Sequence, residues 1–241
     1  SLIEVLKMLR APGGCDWDRA QTSKSLIPYL LEETYEVIEA IEDDDTEILK
    51  EELGDLILHV LFQAELAAEK GRFTINEALS GIIEKLIRRH PNVFSESHDS
   101  NSLDPNQSWE KAKQKEKLRK NILDGVPKNL PALNRARRIQ EKAASVGFDW
   151  DEISPIWDKV YEEIDELKEA IVDGQVQSIN NELGDVLFSF VNLARFLNIS
   201  AEDALRGTIS KFENRFVKLE KELKKQKKTF ENSNLEEMDK I

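Results

Sequence analysis

Glu32-Glu33-Thr34-Tyr35-Glu36 is followed, sixteen positions on, by Glu52-Leu53-Gly54-Asp55. The chain then writes the same arrangement again, as Glu162-Glu163-Ile164-Asp165-Glu166 and Glu182-Leu183-Gly184-Asp185, with the same gap. Residues three apart share a face of an α-helix, so Glu33 projects with Glu36, and Glu52 with Asp55. The gap lets one helix end, turn and send the next back antiparallel, so that the two acidic pairs face each other. Four carboxylates converging in a helical core repel one another unless a cation sits between them. Hard oxygen ligands in that number suit Mg²⁺ or Mn²⁺ rather than zinc or copper.

Laying residues 29–64 on 159–194 gives identities at Glu32, Glu33, Glu36, Glu39, Ala40, Ile41, Asp43, Glu52, Leu53, Gly54, Asp55 and Ala64. A third segment also repeats, pairing Lys85 with Lys211 and Arg89 with Arg215. Each half therefore reads as three helices carrying two acidic pairs and then Lys-x-x-x-Arg on one face. The expected division is an N-terminal domain over 1–94, a polar linker and connecting helix over 95–131, and a C-terminal domain over 132–241. A chain of 241 residues has room for two such units. A hydrophobic share of 40% and a charged share of 34%, with few Gly and Pro, suit a packed helical protein.

The net charge of −13 argues against nucleic acid or an anionic membrane as main partner. Anionic small molecules remain open, because a bound metal reverses the local field. The single cysteine, Cys15, allows no intrachain disulfide. No apolar run approaches the roughly 18 residues of a membrane span, and no signal-peptide pattern opens the chain, so the expected location is cytoplasmic.

Taken in order, residues 2–10 form a short amphipathic helix stopped by Pro12-Gly13-Gly14. Cys15-Asp16-Trp17-Asp18 reads as a loop, echoed by Asp149-Trp150-Asp151, and a repeated Trp before a repeated helix suits a packing plug. Apolar spacing predicts helices over about 22–41 and 47–69, with Gly54 permitting close helix approach. Thr74-x-x-Glu77 is a capping box opening a helix over about 75–89. Residues 95–108 form the linker, a charged helix spans about 109–120, and the last helix runs in charged residues to about Lys228 before the tail frays.

Carboxylate-held Mg²⁺ with Lys and Arg nearby is equipment for a polyphosphate. Nothing matches Gly-x-x-x-x-Gly-Lys-Ser/Thr, which excludes a P-loop motor or switch. No Glu-x-x-His pair is present, which removes a di-iron carboxylate bundle. His59, one turn after Asp55, reads as a satisfied core histidine, and Ser189 stands in its place in the second unit.

The motifs together resemble the MazG-type nucleoside triphosphate pyrophosphohydrolases. The resemblance covers nearly the whole chain and is carried by Cys15-Asp16-Trp17-Asp18 with Gln21-Thr22 and by both acidic motifs. Arg89-His90-Pro91-Asn92-Val93-Phe94, Leu123-Asp124-Gly125-Val126-Pro127 and Val146-Gly147-Phe148-Asp149-Trp150 extend it. It implies an all-α fold of two tandem MazG-like domains, each contributing to four-helix-bundle packing. It also implies a homodimer, and Mg²⁺-dependent cleavage of NTPs and dNTPs to monophosphate and pyrophosphate, with Mn²⁺ as substitute. Broad specificity would suit cleansing of the nucleotide pool.

In full-length relatives the C-terminal unit is generally the active one. Carried over, Glu163, Glu166, Glu182 and Asp185 would hold the metal, with Lys211 and Arg215 on the phosphates. Lys159, one turn before Glu163, is a further phosphate ligand, and Asn181 a nucleotide contact. The first unit has Tyr29 and Glu51 at those two places but keeps Glu33, Glu36, Glu52 and Asp55 as metal ligands, with Lys85 and Arg89 as cations. The implied mechanism is attack of an activated water on the α-phosphorus, with Glu162 or Glu163 as general base. The family's tail continues past Leu235–Asp239 with an aromatic residue near the base, whereas this sequence stops at Ile241. A truncation there would weaken base affinity or activity. The competing expectations are an acidic helical scaffold without catalysis, and a dUTPase-like or phosphoribosyl-ATP pyrophosphohydrolase activity on a similar scaffold.

Overall fold

The computed structural model describes residues 1–94 and 121–240, and every regular element among them is helical. The linker expected at 95–108 and the helix expected at 109–120 lie outside the described residues. Backbone contacts divide the chain into two units, Ser1–Asn101 and Ser102–Ile241.

The first unit contains α1 (Leu2–Arg10), α2 (Asp16–Ala20), α3 (Ile27–Glu42), α4 (Thr46–Glu69), α5 (Ile75–Arg89) and α6 (Pro91–Phe94). Its frame is the hairpin of α3 and α4, against which α1 packs. The turn between them is short because Asp44 takes a left-handed φ of 55°, and Asp45 then caps α4 by accepting from the Glu47 and Ile48 N–H groups. An aspartate tolerates that φ better than most residues do.

Two boundaries differ from expectation. Helix α3 begins at Ile27 rather than near Thr22, because Thr22 and Ser25 accept from each other's backbone N–H at 3.1 and 2.8 Å. Those local bonds compete with the helix, which starts once they are satisfied, with Pro28 in its first turn. The segment expected as a loop at Cys15–Asp18 winds instead into α2. The capping box at Thr74 forms as read, with Glu77 accepting from the Thr74 N–H at 2.7 Å.

The core of this unit is Leu6, Leu26, Phe62 and Leu66, all at most 3% exposed. Arg10 closes it at one end. Its guanidinium grips the Glu69 carboxylate at 2.6 and 2.7 Å and lies 5.3 Å from the centre of the Phe62 ring.

The second unit contains α7 (Ala132–Ala144), α8 (Ser154–Asp173), α9 (Val176–Phe196), α10 (Ala201–Lys225), a 3₁₀ turn at Phe230–Asn232 and α11 (Leu235–Asp239). Helices α8 and α9 repeat the hairpin, and α7 and α10 flank α9. The left-handed position of the turn is now Gly174, φ 72°, the equivalent of Asp44 and the residue to which that φ costs least. Ile156, Val160, Val186, Val191 and Leu223 are buried. Arg195 of α9 pairs in bidentate fashion with Asp149 at 2.5 and 2.9 Å, tying down the segment that leads into α8. Beyond α10, Phe230 stacks on Phe216 at 5.1 Å and Lys228 reaches Glu237 at 3.2 Å.

The close-approach role expected for Gly54 is also overturned. A Cβ at Gly54, or at its equivalent Gly184, would meet no atom within 4 Å, because both glycines lie on an open helix face. Apolar faces are exposed on the third long helix of each unit: Leu79, Ile83 and Leu86 on α5, and Leu205, Ile209 and Phe212 on α10.

Leu66→Ala is expected to remove about 3 kcal/mol from the unfolding free energy, the usual cost of a cavity at a fully enclosed leucine. Val172→Ala, at an 85% exposed position, should change it by less than about 0.5 kcal/mol. Urea unfolding followed by far-UV circular dichroism checks both.

Candidate metal and phosphate site

In each unit the hairpin sets the acids of one helix against those of the other. Carboxylate oxygens of Glu33, Glu36 and Glu52 lie within 4.8 Å of one another in the first unit, as do those of Glu163, Glu166 and Glu182 in the second. Asp55 and Asp185 stand outside those sets, although Asp55 is close enough for its charge to act on Glu33. The donor set is all oxygen and locally rich in negative charge, which fits a hard divalent cation.

The two clusters deal with their charge differently. In the second unit Lys159 extends its ammonium to Glu163 at 2.7 Å and Glu162 at 3.0 Å. Those two hydrogen bonds raise the lysine pKa well above its ordinary value. Glu166 is exposed, yet its pKa is raised, first by partial loss of water and then by the charge of Glu163. The first unit has Tyr29 where the second has Lys159 and so lacks that counter-charge. There burial, with the charges of Asp55, Glu36 and Glu52 behind it, pushes Glu33 up to about 7. Glu52 is raised for the same two reasons, burial first and Glu36 next.

His59 Nε2 lies 3.7 Å from Glu33 Oε1. It does not form a charged pair, because burial lowers the imidazole pKa while Glu33 is pushed the other way. The ring is stacked on Tyr29 at 6.3 Å, and its buried Nδ1 has no hydrogen-bond partner. The reading of His59 as core holds for its burial, but not for its being satisfied.

The cations are dispersed. Lys211 and Arg215 are exposed, four apart on α10, without an ion pair among the described residues. Lys85 and Arg89 occupy the matching places on α5 and are half-buried. Asn181, at the exposed edge of α9 beside Glu182, accepts from Gln177 at 3.0 Å.

Beside the second cluster opens a cavity of about 440 Å³, which reaches from Lys159, Glu163 and Asp185 to Gln140 of α7 and Asn192 of α9. Phe148 and Trp150, 81% and 41% exposed, line it. The plug reading of the repeated tryptophan fails here, because Trp150 borders a cavity rather than filling one. Trp17 is likewise half exposed and meets Tyr29 edge-on at 5.9 Å. Gln140 and Asn192 were not among the expected site residues. One signal was available: the superposition that pairs the acids also pairs Asn192 with Phe62, a polar residue where the other unit has a core aromatic.

The family model described as the MazG nucleotide pyrophosphohydrolase domain matches residues 21–94 and again 154–219, together more than half of the chain. The chain belongs to the MazG family. Both matches contain a hairpin with its acidic cluster. A Thermotoga maritima relative named nucleoside triphosphate pyrophosphohydrolase/pyrophosphatase MazG is 45% identical over 99% of this chain and 91% of its own length. The nucleoside triphosphate pyrophosphohydrolase of Escherichia coli K12 is 46% identical over 91% of this chain and 86% of its own. The Mycobacterium tuberculosis protein of the same name is 34% identical over 86% and 60%.

The raised Glu33 gives a signed pH dependence. Between its ordinary value of 4.5 and about 7, the unfolded chain ionises this carboxyl while the folded chain keeps the proton. Without divalent cations the contribution is therefore fully present at the acid end, is lost as pH rises through that window, and levels off above it. His59, lowered by burial, acts in the opposite sense, so the difference between wild type and Glu33→Gln reads the carboxyl together with the neighbours it is coupled to, Glu52 and His59. Melting temperatures across the window check this. Wild type should decline relative to the variant, and parallel curves would show that Glu33 titrates normally.

Proposed function

We propose that the chain is a nucleoside triphosphate pyrophosphohydrolase that cleaves NTPs and dNTPs to the monophosphate and pyrophosphate, with the second unit as its catalytic unit. The observation that carries this is the Glu163–Glu166–Glu182 cluster with Lys159 built into it, at the edge of a cavity, in a chain of the MazG family. The function named for relatives at 45 and 46% identity over most of both chains supports it.

Glu163, Glu166 and Glu182, with Asp185 one turn along α9, would hold Mg²⁺, for which Mn²⁺ could substitute. When bound, the ion supplies charge for the phosphate oxygens and lowers the pKa of a coordinated water. Lys159 keeps a positive charge beside the acids, and Lys211 and Arg215 offer a point charge and a fork to the remaining phosphates. Asn181 is placed to contact the nucleotide. A new bond forms from water oxygen to the α-phosphorus, the bond from that phosphorus to the bridging oxygen breaks, and pyrophosphate leaves. The proton passes to a carboxylate of the Glu162–Glu163 pair. The first unit, with Glu33, Glu36, Glu52 and Asp55 and the cations Lys85 and Arg89, would bind metal.

Homodimerisation belongs to the same proposal, supported by the apolar faces left uncovered on α5 and α10. No described helix is long and apolar enough to cross a membrane. A cytoplasmic enzyme of broad specificity that cleanses the nucleotide pool fits these features.

Product analysis of ATP and dTTP with Mg²⁺ should give monophosphate and pyrophosphate, whereas diphosphate and phosphate would contradict attack at the α-phosphorus. Glu166→Ala and Asp185→Ala should each reduce turnover by at least about a thousandfold, since removing electrostatic stabilisation at a reacting centre costs on that order. Wild-type rates in both would sink the site assignment. Sedimentation should show twice the chain mass.

A further inference from the structure

In the second unit a side chain of the protein itself stands where a counter-cation is needed. Lys159 Nζ lies 2.7 Å from Glu163 Oε1 and 3.0 Å from Glu162 Oε1. Glu163 is the buried acid of its cluster, 8% exposed, while Glu182 is half-buried and Glu166 exposed. The ammonium is thus set on the carboxylate with the least water around it. This is more than a helix-surface pair. Lysine one turn N-terminal to glutamate is the weaker of the two orientations on a helix, and an exposed pair contributes little. A carboxylate shielded from water gains far more from a cation in contact with it.

The same carboxylate belongs to the three whose oxygens converge within 4.8 Å, the donor set that fits a hard divalent ion. An ion bound there would share Glu163 with the Lys159 ammonium, and two positive charges on one carboxylate repel strongly in a seam where water is partly excluded. Lys159 has room to move away. Its side chain is 38% exposed and lines the cavity of about 440 Å³, so the ammonium can leave Glu163 without unpacking α8. In the first unit the equivalent residue is Tyr29, stacked on His59 at 6.3 Å, and a phenol brings no positive charge to its acids.

We infer that Lys159 and the divalent cation compete for Glu163, so that the second unit takes up its metal by exchange against a tethered ammonium. This rests on the metal site proposed for that unit, and adds to it a residue that controls when the site is loaded. The exchange weakens retention of the metal by the free protein. It also couples that retention to a polyphosphate, whose charge would receive the released ammonium. Coupling of this kind is reciprocal: the polyphosphate tightens the metal by the same factor as the metal tightens the polyphosphate.

Electron paramagnetic resonance of Mn²⁺ bound to the full chain tests the exchange, in a background of Glu36→Gln and Glu52→Gln that removes the first unit's cluster. Lys159→Met should bind Mn²⁺ at least about tenfold more tightly than this parent, as loss of one adjacent positive charge implies. Lys159→Arg keeps the charge and should stay within about threefold of the parent. A second measurement needs no substitution at Lys159. Acylation by an amine-reactive ester, read by mass spectrometry against the exposed Lys168, should label Lys159 at least about threefold faster once Mg²⁺ is added, because the amine loses a carboxylate partner. Tripolyphosphate added with the Mg²⁺ should slow that labelling again. Unchanged Mn²⁺ affinity in Lys159→Met, or labelling of Lys159 that Mg²⁺ leaves unaltered, would overturn the exchange. Labelling that tripolyphosphate does not slow would overturn the coupling. Mn²⁺ binding to neither the parent nor Lys159→Met would remove the metal site itself, and the exchange with it. Product analysis on the same preparations keeps the reaction separate, since release of diphosphate from ATP would change the reaction and leave the exchange standing.

Discussion

Mutual repulsion among carboxylates is the constraint around which each unit is built. A helical hairpin that sets Glu-x-x-Glu against Glu-x-x-Asp gathers negative charge at the seam between its helices, where water is partly excluded. Such a seam persists only if the charge is neutralised by protons, by a side-chain cation or by a metal. The short turns at Asp44 and Gly174 make the hairpins close, and the close hairpins make the repulsion strong.

The two units answer the same constraint by different means. The second brings Lys159 within hydrogen-bond reach of Glu162 and Glu163 and thins the packing next to the acids, with Ser189 and Asn192 in place of bulky rings. The first has no such lysine, sets His59 beside Glu33 with Tyr29 stacked on it, and pushes Glu33 toward its protonated form. One is arranged as a charged, accessible site beside a cavity, and the other as an acidic cluster without a lysine partner. Apolar side chains on α5 and α10 that no helix of their own unit covers fit the same economy: a unit of a few helices cannot bury every apolar face it carries.

Much of this was legible in the sequence because it depends on spacing. Helical periodicity located α1, α3, α4 and α5 to within a few residues, and Thr74-x-x-Glu77 marked the start of α5. The misreadings have local causes. Thr22 and Ser25 bond each other's backbone and delay α3, a side-chain choice that periodicity does not register. Gly54 looked like a contact point between helices, but lies on an open face. Trp150 looked like a plug, and instead borders a cavity walled by residues of α7, α8 and α9.

The sequence by itself determined the helical hairpins, their duplication, the acidic pairs and the family, because each is a matter of residue type at fixed separation along one or two adjacent helices. Tertiary structure alone decided which carboxylates converge within 4.8 Å, that Lys159 is spent on Glu163, that Glu33 is pushed up to about 7, and that Gln140 faces an open cavity. Those outcomes depend on the distances and the loss of water created when helices far apart in sequence pack together. Coulomb energy, desolvation and empty volume are properties of that packing, not of any single segment.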